Sequence, residues 1–426
     1  MPSFIRTGDL LCLRRSLLLQ KRLFAGLSQV ELQRQYSSFD VKVQMNGRQY
    51  ISLYNYTPID KSELPQLQKE MREQWGNLGV LGRIYIAEEG INAQIVVPQQ
   101  SENAFRCSFP SLLENAKLFY GQLIDKTPVQ MATEPFHKLD IRIRNQILHD
   151  GYRKGDLNLQ ETGKSLLPEQ WHRKLKVRND ANDTDTLVLD VRNVYEHEIG
   201  RFDGATRIMV ETFRDTFDAL DDIFEKHEKE HDGHKPKEVM MYCTGGIRCE
   251  KIGAYLTQHK GISNVQKLHG GIINYVQYLQ KQRSAAVKAC AESGDAIDEV
   301  SLFKGKNFVF DQRCVAEFTE SEEVTKDILG QCLQCGEPCN HHTNCSNLMC
   351  HALSLQCFKC VATMMGACSE TCKHEFVKMK DMSPEEQRNY RKANGNKWKI
   401  KNPTSLSVQR FIKIRPNIMS SLQHKA

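Results

Sequence analysis

The sequence predicts a multidomain chain of α/β and α+β type: an α+β unit, then an α/β unit, then a Cys-rich unit folded by metal. Three observations carry this. Short strand-like segments and two amphipathic helical segments fall within residues 41–150. Continuous apolar runs alternate with helical segments across residues 183–285. Nine of the fifteen cysteines lie in the 41 residues from Cys332 to Cys372. At 426 residues the chain exceeds one ordinary core, and its 40% apolar and 26% charged content is that of a globular protein. No apolar run is long enough to span a bilayer as a helix, so no helical membrane span is expected.

The first forty residues read as a mitochondrial transit peptide. Arg6, Arg14, Arg15, Lys21, Arg22 and Arg34 interleave with leucines, against only Asp9 and Glu31. The "RQYSS" ending resembles a processing site. This places the protein in the matrix, or in the cytoplasm if the segment is only an amphipathic start.

In the α+β unit, "YISLYNYTPI" predicts a strand and "LPQLQKEMREQWGNLG" a helix ending at Gly79. "GRIYIAEEGINAQIVVP" predicts two strands around a turn at Glu89-Gly90. A helical segment near Ser101 to Leu113 follows, and "FHKLDIRIRNQIL" closes the unit as its last strand. The order β-α-β-β-α-β is that of a ferredoxin-like sandwich. In the last strand Lys138, Arg142 and Arg144 share one face, either as a solvated side or as a phosphate-contacting surface.

Residues 151–182 are polar and predict a linker that includes a short helix. In 183–285 the runs "TLVLDV", "VMMYC" and "VQKLHGG" predict buried parallel strands, with helices near Arg214 to Lys229 and Gly246 to His259. Residues 286–331 are a connector, 332–374 the Cys-rich unit, and 375–426 a basic tail. From Lys373 onward there are 13 Lys/Arg and 4 Asp/Glu, so a net +6 chain carries +9 at this end. Such a tail is a solvated end or suits a polyanion. Lys397 and Lys399 flank Trp398, a mix of cations and an aromatic that suits RNA.

The chemistry concentrates in "MYCTGGIRCEK". Cys243 ends a buried strand and Gly245-Gly246 opens a helix, so backbone N–H groups and the helix dipole favour a thiolate. Arg248 adds a fixed charge. Phosphatase loops have the form Cys-x5-Arg; here the spacing is Cys-x4-Arg, which suits a terminal sulfur better than a phosphate. Cys249 either packs as a buried cysteine or resolves a persulfide as a disulfide.

The second cluster is metal-ligand grammar: Cys332, Cys335, Cys339, His342, Cys345, Cys350, Cys357, Cys360, Cys368 and Cys372. Ten candidates suffice for one or two zinc ions. An iron–sulfur cluster is the rival, and the ligand pairing is not legible.

"LDVRNVYEHEIGRFDGA", "MYCTGGIRC" and "LHGGI" together resemble the rhodanese domain. The resemblance implies that Cys243 is a persulfide-forming nucleophile with Thr244, Gly245, Gly246, Ile247 and Arg248 as its loop. Asp190, Arg192 and Glu196 resemble the family's supporting residues, with scaffold hydrogen bonding favoured over direct chemistry. Arg201 stands in the Gly200-Arg201-Phe202 turn where histidine is common. "GRIYIAEEGINAQIVVP", the cysteine loop, "GKNFVFDQR" and the Cys-rich segment follow in the order of the rhodanese-domain tRNA uridine-34 hydroxylases, and the chain is similar to them over residues 50–400. That implies a tRNA substrate, molecular oxygen as co-substrate, and conversion of wobble uridine to 5-hydroxyuridine. No flavin or nicotinamide motif is present. Two other functions use the same residues: a sulfurtransferase that takes sulfane sulfur from a donor without tRNA, and a non-enzymatic RNA-binding adaptor.

Overall fold

The computed structural model describes residues 47–124, 135–152, 157–293, 301–311 and 327–401, with side chains within them except 122–124, 285–293 and 395–401. The transit-peptide segment 1–40 lies outside the described residues.

The first unit runs β1 (Arg48–Tyr56), α1 (Leu64–Asn77), β2 (Leu81–Ala87), β3 (Gly90–Pro98), α2 (Glu102–Cys107), α3 (Pro110–Leu113), β4 (Lys117–Ile124) and β5 (Leu139–Ile143). The sheet order is β4-β1-β3-β2-β5. Its first four strands are antiparallel neighbours and β5 adds parallel to β2. The β-α-β-β-α-β order is present, but its closing strand is β4, not the 136–148 segment expected from the sequence. Gly121 in the middle of "KLFYGQLI" argues against a strand there. The structure gives the reason for the glycine: a Cβ at 121 would stand 2.7 Å from the Tyr50 ring.

Strand alternation divides this sheet into two faces. Ile51, Leu53, Ile84, Ile86, Ile91, Ala93 and Ile95 pack against α1 and α2 through Met71, Trp75 and Phe105. The opposite face carries Ser52 and Tyr54 on β1, Asn92 and Gln94 on β3, and Arg83 and Tyr85 on β2. Ser52 pairs in register with Gln94 and Gln94 with Arg83; Tyr54 pairs with Asn92 and Asn92 with Tyr85.

The second unit runs β6 (Lys164–Leu166), α4 (Pro168–Asp180), β7 (Thr186–Asp190), α5 (Val194–Ile199), β8 (Gly200–Phe202), β9 (Thr206–Arg207), α6 (Thr216–Glu230), β10 (Glu238–Tyr242), α7 (Ile247–Gln258), β11 (Val265–Leu268) and α8 (Gly271–Ser293). Its sheet, β6-β11-β10-β7-β9, is parallel throughout and has helices on both faces. Much of the expected 151–182 linker belongs to this unit. Within β6 only Leu166 is buried, so the strand carries no apolar run; α4 is polar on average yet buries Trp171 and Leu175 fully.

The third unit begins with β12 (Phe303–Gly305), which pairs antiparallel with β8. The Cys-rich part holds the hairpin β13 (His342–Asn344) and β14 (Leu353–Leu355), then α9 (Phe358–Met364), α10 (Glu370–Met379) and α11 (Pro384–Lys401). Among the described residues no helix is long and apolar enough to cross a membrane.

Two residues at the start of α7 join the first two units. Glu250 accepts hydrogen bonds from Tyr54 Oη and Thr162 Oγ1 at 2.9 Å each and ion-pairs with Lys117 of β4 and Lys267 of β11. Lys251 reaches Asp150 at 2.6 Å and Glu89 at 3.0 Å. Burial opposes the charge on Glu250, but Lys267 and Lys117 outweigh it and bring the carboxyl down to about 2. Burial also pushes the Lys267 ammonium down, against the pull of Glu250, so the net gain is smaller than the Glu250 shift alone implies.

Removing Glu250 strands the buried Lys267, and Glu250→Ala is expected to cost about 3 kcal/mol in urea denaturation. The carboxylate's contribution is complete above its ordinary value of 4.5 and is lost as pH falls from there toward 2. Wild type should therefore lose stability over that window, and the Ala variant should lack this part of the slope.

Candidate active site

Strand β10 is buried along its whole length and delivers Cys243 to the β10–α7 turn. Gly246 has φ of +98°, a conformation that glycine adopts without strain, and its N–H points at Cys243 Sγ at 3.0 Å. Burial alone would raise the Cys243 thiol. The hydrogen bond from Cys249, the Arg248 guanidinium and the N–H groups of Arg248 and Gly246 outweigh burial and bring it down to about 6. Cys249 moves the opposite way, held well above the ordinary thiol range by burial and by its acidic neighbour. The two sulfurs thus form an unequal pair, one a thiolate near neutral pH and the other a thiol.

Arg248 is clamped. Its guanidinium donates to both oxygens of Glu196, at 2.6 and 2.8 Å, and Thr244 Oγ1 donates to the same carboxylate at 3.0 Å. Glu196 in turn accepts the Asn193 N–H at 3.0 Å at the start of α5. Asp190 and Arg192 form a separate buried hub behind the loop. The Asp190 carboxylate accepts from Arg192 at 2.7 and 2.8 Å and from Tyr242 Oη at 2.8 Å, and His197 Nδ1 lies 2.9 Å away. Neither Asp190 nor Arg192 lines the cavity described next.

A cavity of about 700 Å³ lies between the cysteine loop and the polar face of the first sheet. Cys243, Thr244, Gly245, Ile247 and Arg248 line one side; Ser52, Tyr54, Arg83, Tyr85, Asn92 and Gln94 line the other; Tyr195, Glu211 and Phe310 contribute at the edge. A Cβ at Gly245 would stand 2.8 Å from Ser52 Oγ, so the loop and the sheet are in close contact there. Sequence reasoning missed the sheet wall. Its signal was present in "YISLYNY", where Tyr50, Ser52 and Tyr54 alternate with Ile51 and Leu53.

Of the expected RNA-contacting residues, Arg144 lines the cavity, with its guanidinium 5.6 Å from the Tyr85 ring centroid. Arg142 pairs with Asp140 on β5, and Lys138 precedes that strand; neither lines the cavity. Lys397 and Lys399 fall within α11, with side chains outside the described residues.

The cysteines gather into two sets: Cys332, Cys335, Cys357 and Cys360, and Cys345, Cys350, Cys368 and Cys372, each with its sulfurs within 4.8 Å of one another. Cys335 and Cys357 stand 3.8 Å apart, Cys350 and Cys368 3.7 Å, Cys368 and Cys372 3.6 Å. Zinc–sulfur bonds of about 2.3 Å in a tetrahedron set sulfurs about 3.8 Å apart, so the donor sets fit one tetrahedral ion each. In a four-iron cluster each cysteine holds a separate iron and the sulfurs stand farther apart. Two expected ligands fall outside both sets. Cys339 Sγ accepts the His341 N–H at 3.3 Å, and the His342 ring packs edge-on against Phe308 at 5.1 Å.

A parallel five-stranded sheet, with an acidic cysteine in a glycine turn at the carboxyl end of its central strand, defines a rhodanese-type enzyme scaffold. The chain matches the Rhodanese-like domain over residues 173–277, the UPF0176 acylphosphatase like domain over 48–147 and Rhodanase C-terminal over 304–373. It is 37% identical over 355 residues to the tRNA uridine(34) hydroxylase of Hamiltonella defensa, covering 83% of this chain and 87% of that one. Proteins of the same name from an Enterobacter species and from Leptospira interrogans are 35% and 33% identical over 82% and 89% of the chain, and 87% and 88% of their own lengths. The chain belongs to the tRNA uridine(34) hydroxylase family.

The pairing of the two sulfurs fixes a pH profile. Iodoacetamide labelling of Cys243, followed by peptide mass spectrometry, should rise through a midpoint near pH 6 as the thiolate forms. Cys249→Ala removes the hydrogen bond that does most to stabilise it and should move the midpoint upward.

Proposed function

We propose that this chain hydroxylates the wobble uridine of tRNA to 5-hydroxyuridine, with Cys243 as the nucleophile. The observation that carries it is an acidic thiol facing a cavity of nucleotide size, in a chain that aligns nearly end to end with named tRNA uridine(34) hydroxylases. The Cys243 thiolate adds to C6 of the uracil ring, and the displaced electron pair makes C5 nucleophilic. C5 takes one atom of molecular oxygen. Loss of the C5 proton and departure of the thiolate restore the C5–C6 double bond. The second oxygen atom leaves as water at the expense of two electrons from a thiol reductant. Arg248, tied to Glu196, keeps the loop positive without reaching for the substrate. Arg142, Arg144 and Lys138 carry phosphate contacts, and the basic end of the chain, including Lys397 and Lys399, adds to them.

The two cysteine sets hold zinc, which ties the Cys-rich unit together and takes no part in the reaction. The basic, leucine-rich start supports import into the mitochondrial matrix, although the relatives named above are bacterial.

Metal analysis of the purified full-length chain should give two zinc ions per molecule. Cys332→Ser should lower the count and expose the unit to proteolysis; iron with acid-labile sulfide would overturn the assignment. Mass spectrometry of tRNA should show 5-hydroxyuridine at position 34 disappearing from the mitochondrial pool on gene deletion. Wild type should restore it and Cys243→Ala should not. No change on deletion removes the proposed function, and a loss confined to cytosolic tRNA removes the mitochondrial assignment alone.

A further inference from the structure

The polar face of the first sheet is divided between two tasks. On β4 and β1 it is covered: Lys117 and Tyr54 bind Glu250, and Ser52 abuts Gly245 of the cysteine loop. On β3, β2 and β5 the same face continues as the open wall of the cavity. Tyr85 stands on that open half, two strands from Tyr54, whose hydroxyl lies against Gly246, and so about 10 Å from the cysteine loop. Its ring is half-buried, it lines the cavity, and the exposed Arg144 stands over it at 5.6 Å. Arg83, also exposed, lies two residues away on the same strand face. Along this stretch the cations of Arg142, Lys138 and Arg83 surround the carboxylate of Asp140, and Arg142 ion-pairs with it.

An aromatic ring on an open sheet face, flanked by guanidinium groups, has the chemistry for an unpaired base and its phosphate: the ring stacks on the base and the cations meet the backbone. We infer that Tyr85 is a stacking platform for the nucleotide adjoining the one at Cys243, so that the first sheet reads a single-stranded RNA loop and the second unit supplies the thiolate. The inference rests on the proposed tRNA substrate and adds the residue that positions it. Base pairing would keep a base off the ring, so the surface prefers loops to duplex.

The test uses the full-length chain and a fluorescent anticodon stem-loop RNA carrying uridine 34, with a duplex of equal length as competitor. Tyr85→Ala should weaken binding roughly tenfold or more, while Tyr85→Phe, which keeps the ring, should bind within about twofold of wild type. In hydroxylation assays Tyr85→Ala should raise KM with a smaller effect on kcat. Arg144→Ala, at an exposed position, should act in the same direction if the Tyr85 variant proves poorly folded. Wild-type-like binding and KM in both Ala variants overturns the inference and leaves the proposed function standing. Tyr85-dependent RNA binding by a wild-type protein that makes no hydroxyuridine overturns the proposed function and leaves the stacking surface standing. Failure of wild type to bind the stem-loop overturns both.

Discussion

The structure depends on the ion pairs at the start of α7. Glu250 and Lys251 follow the cysteine loop directly, so the turn that makes Cys243 acidic also fixes the second unit to the first. Glu250 binds three elements beyond its own helix through Tyr54, Lys117 and Lys267, and Lys251 binds Glu89 and Asp150. Lys251 and Lys267 are almost fully buried, which is costly unless the charges are matched. Apolar packing could hold two units together in several orientations. A buried charge set is satisfied only in one, which fixes where the sheet wall stands relative to the sulfur.

The loop itself follows the same logic. Arg248 looks, by its spacing, like a residue that would contact a ligand. Its guanidinium instead donates to both oxygens of Glu196 and to Thr244 Oγ1. What remains for Cys243 is a field: a nearby positive charge, the Gly246 N–H and the Cys249 thiol. That arrangement lowers the thiol pKa without placing a mobile cation in the cavity. Phe310, from the segment leading to the Cys-rich unit, lies 5.6 Å from the Arg248 guanidinium, so all three units contribute to the surroundings of one cysteine.

The legible parts of the sequence were those whose signal is local. The buried parallel strands β7, β10 and β11 announce themselves as apolar runs, and the cysteine loop by its glycines and its arginine. Strands β4 and β6 were hidden for opposite reasons. Gly121 reads as a breaker but makes room for Tyr50, and β6 is polar because only Leu166 needs to face the core. The candidate metal ligands were legible as a set but not as pairs. Spacing cannot say that Cys332 and Cys335 share a site with Cys357 and Cys360 across another pair. The sheet wall of the cavity, from Ser52 to Tyr85, was legible only as a polar face alternating with an apolar one along each strand, because contact between two units leaves no mark in the spacing of either.

The order of the cysteine pairs has a further physical consequence. The first and third pairs make one site, and the second and fourth make the other. Neither site can close around its ion without the chain between its two halves being folded, and that chain carries half of the other site. Filling one site would therefore organise the other, so that metal and fold would be gained together. The same unit supplies little apolar core, with a small cluster built largely from the cysteines, Met349 and Met379. A metal ion in each cysteine set would provide what packing does not. Because this unit is held to the second unit through Phe308, Leu355 and Ile199, its folding also supports the Phe310 segment that borders the cysteine cavity.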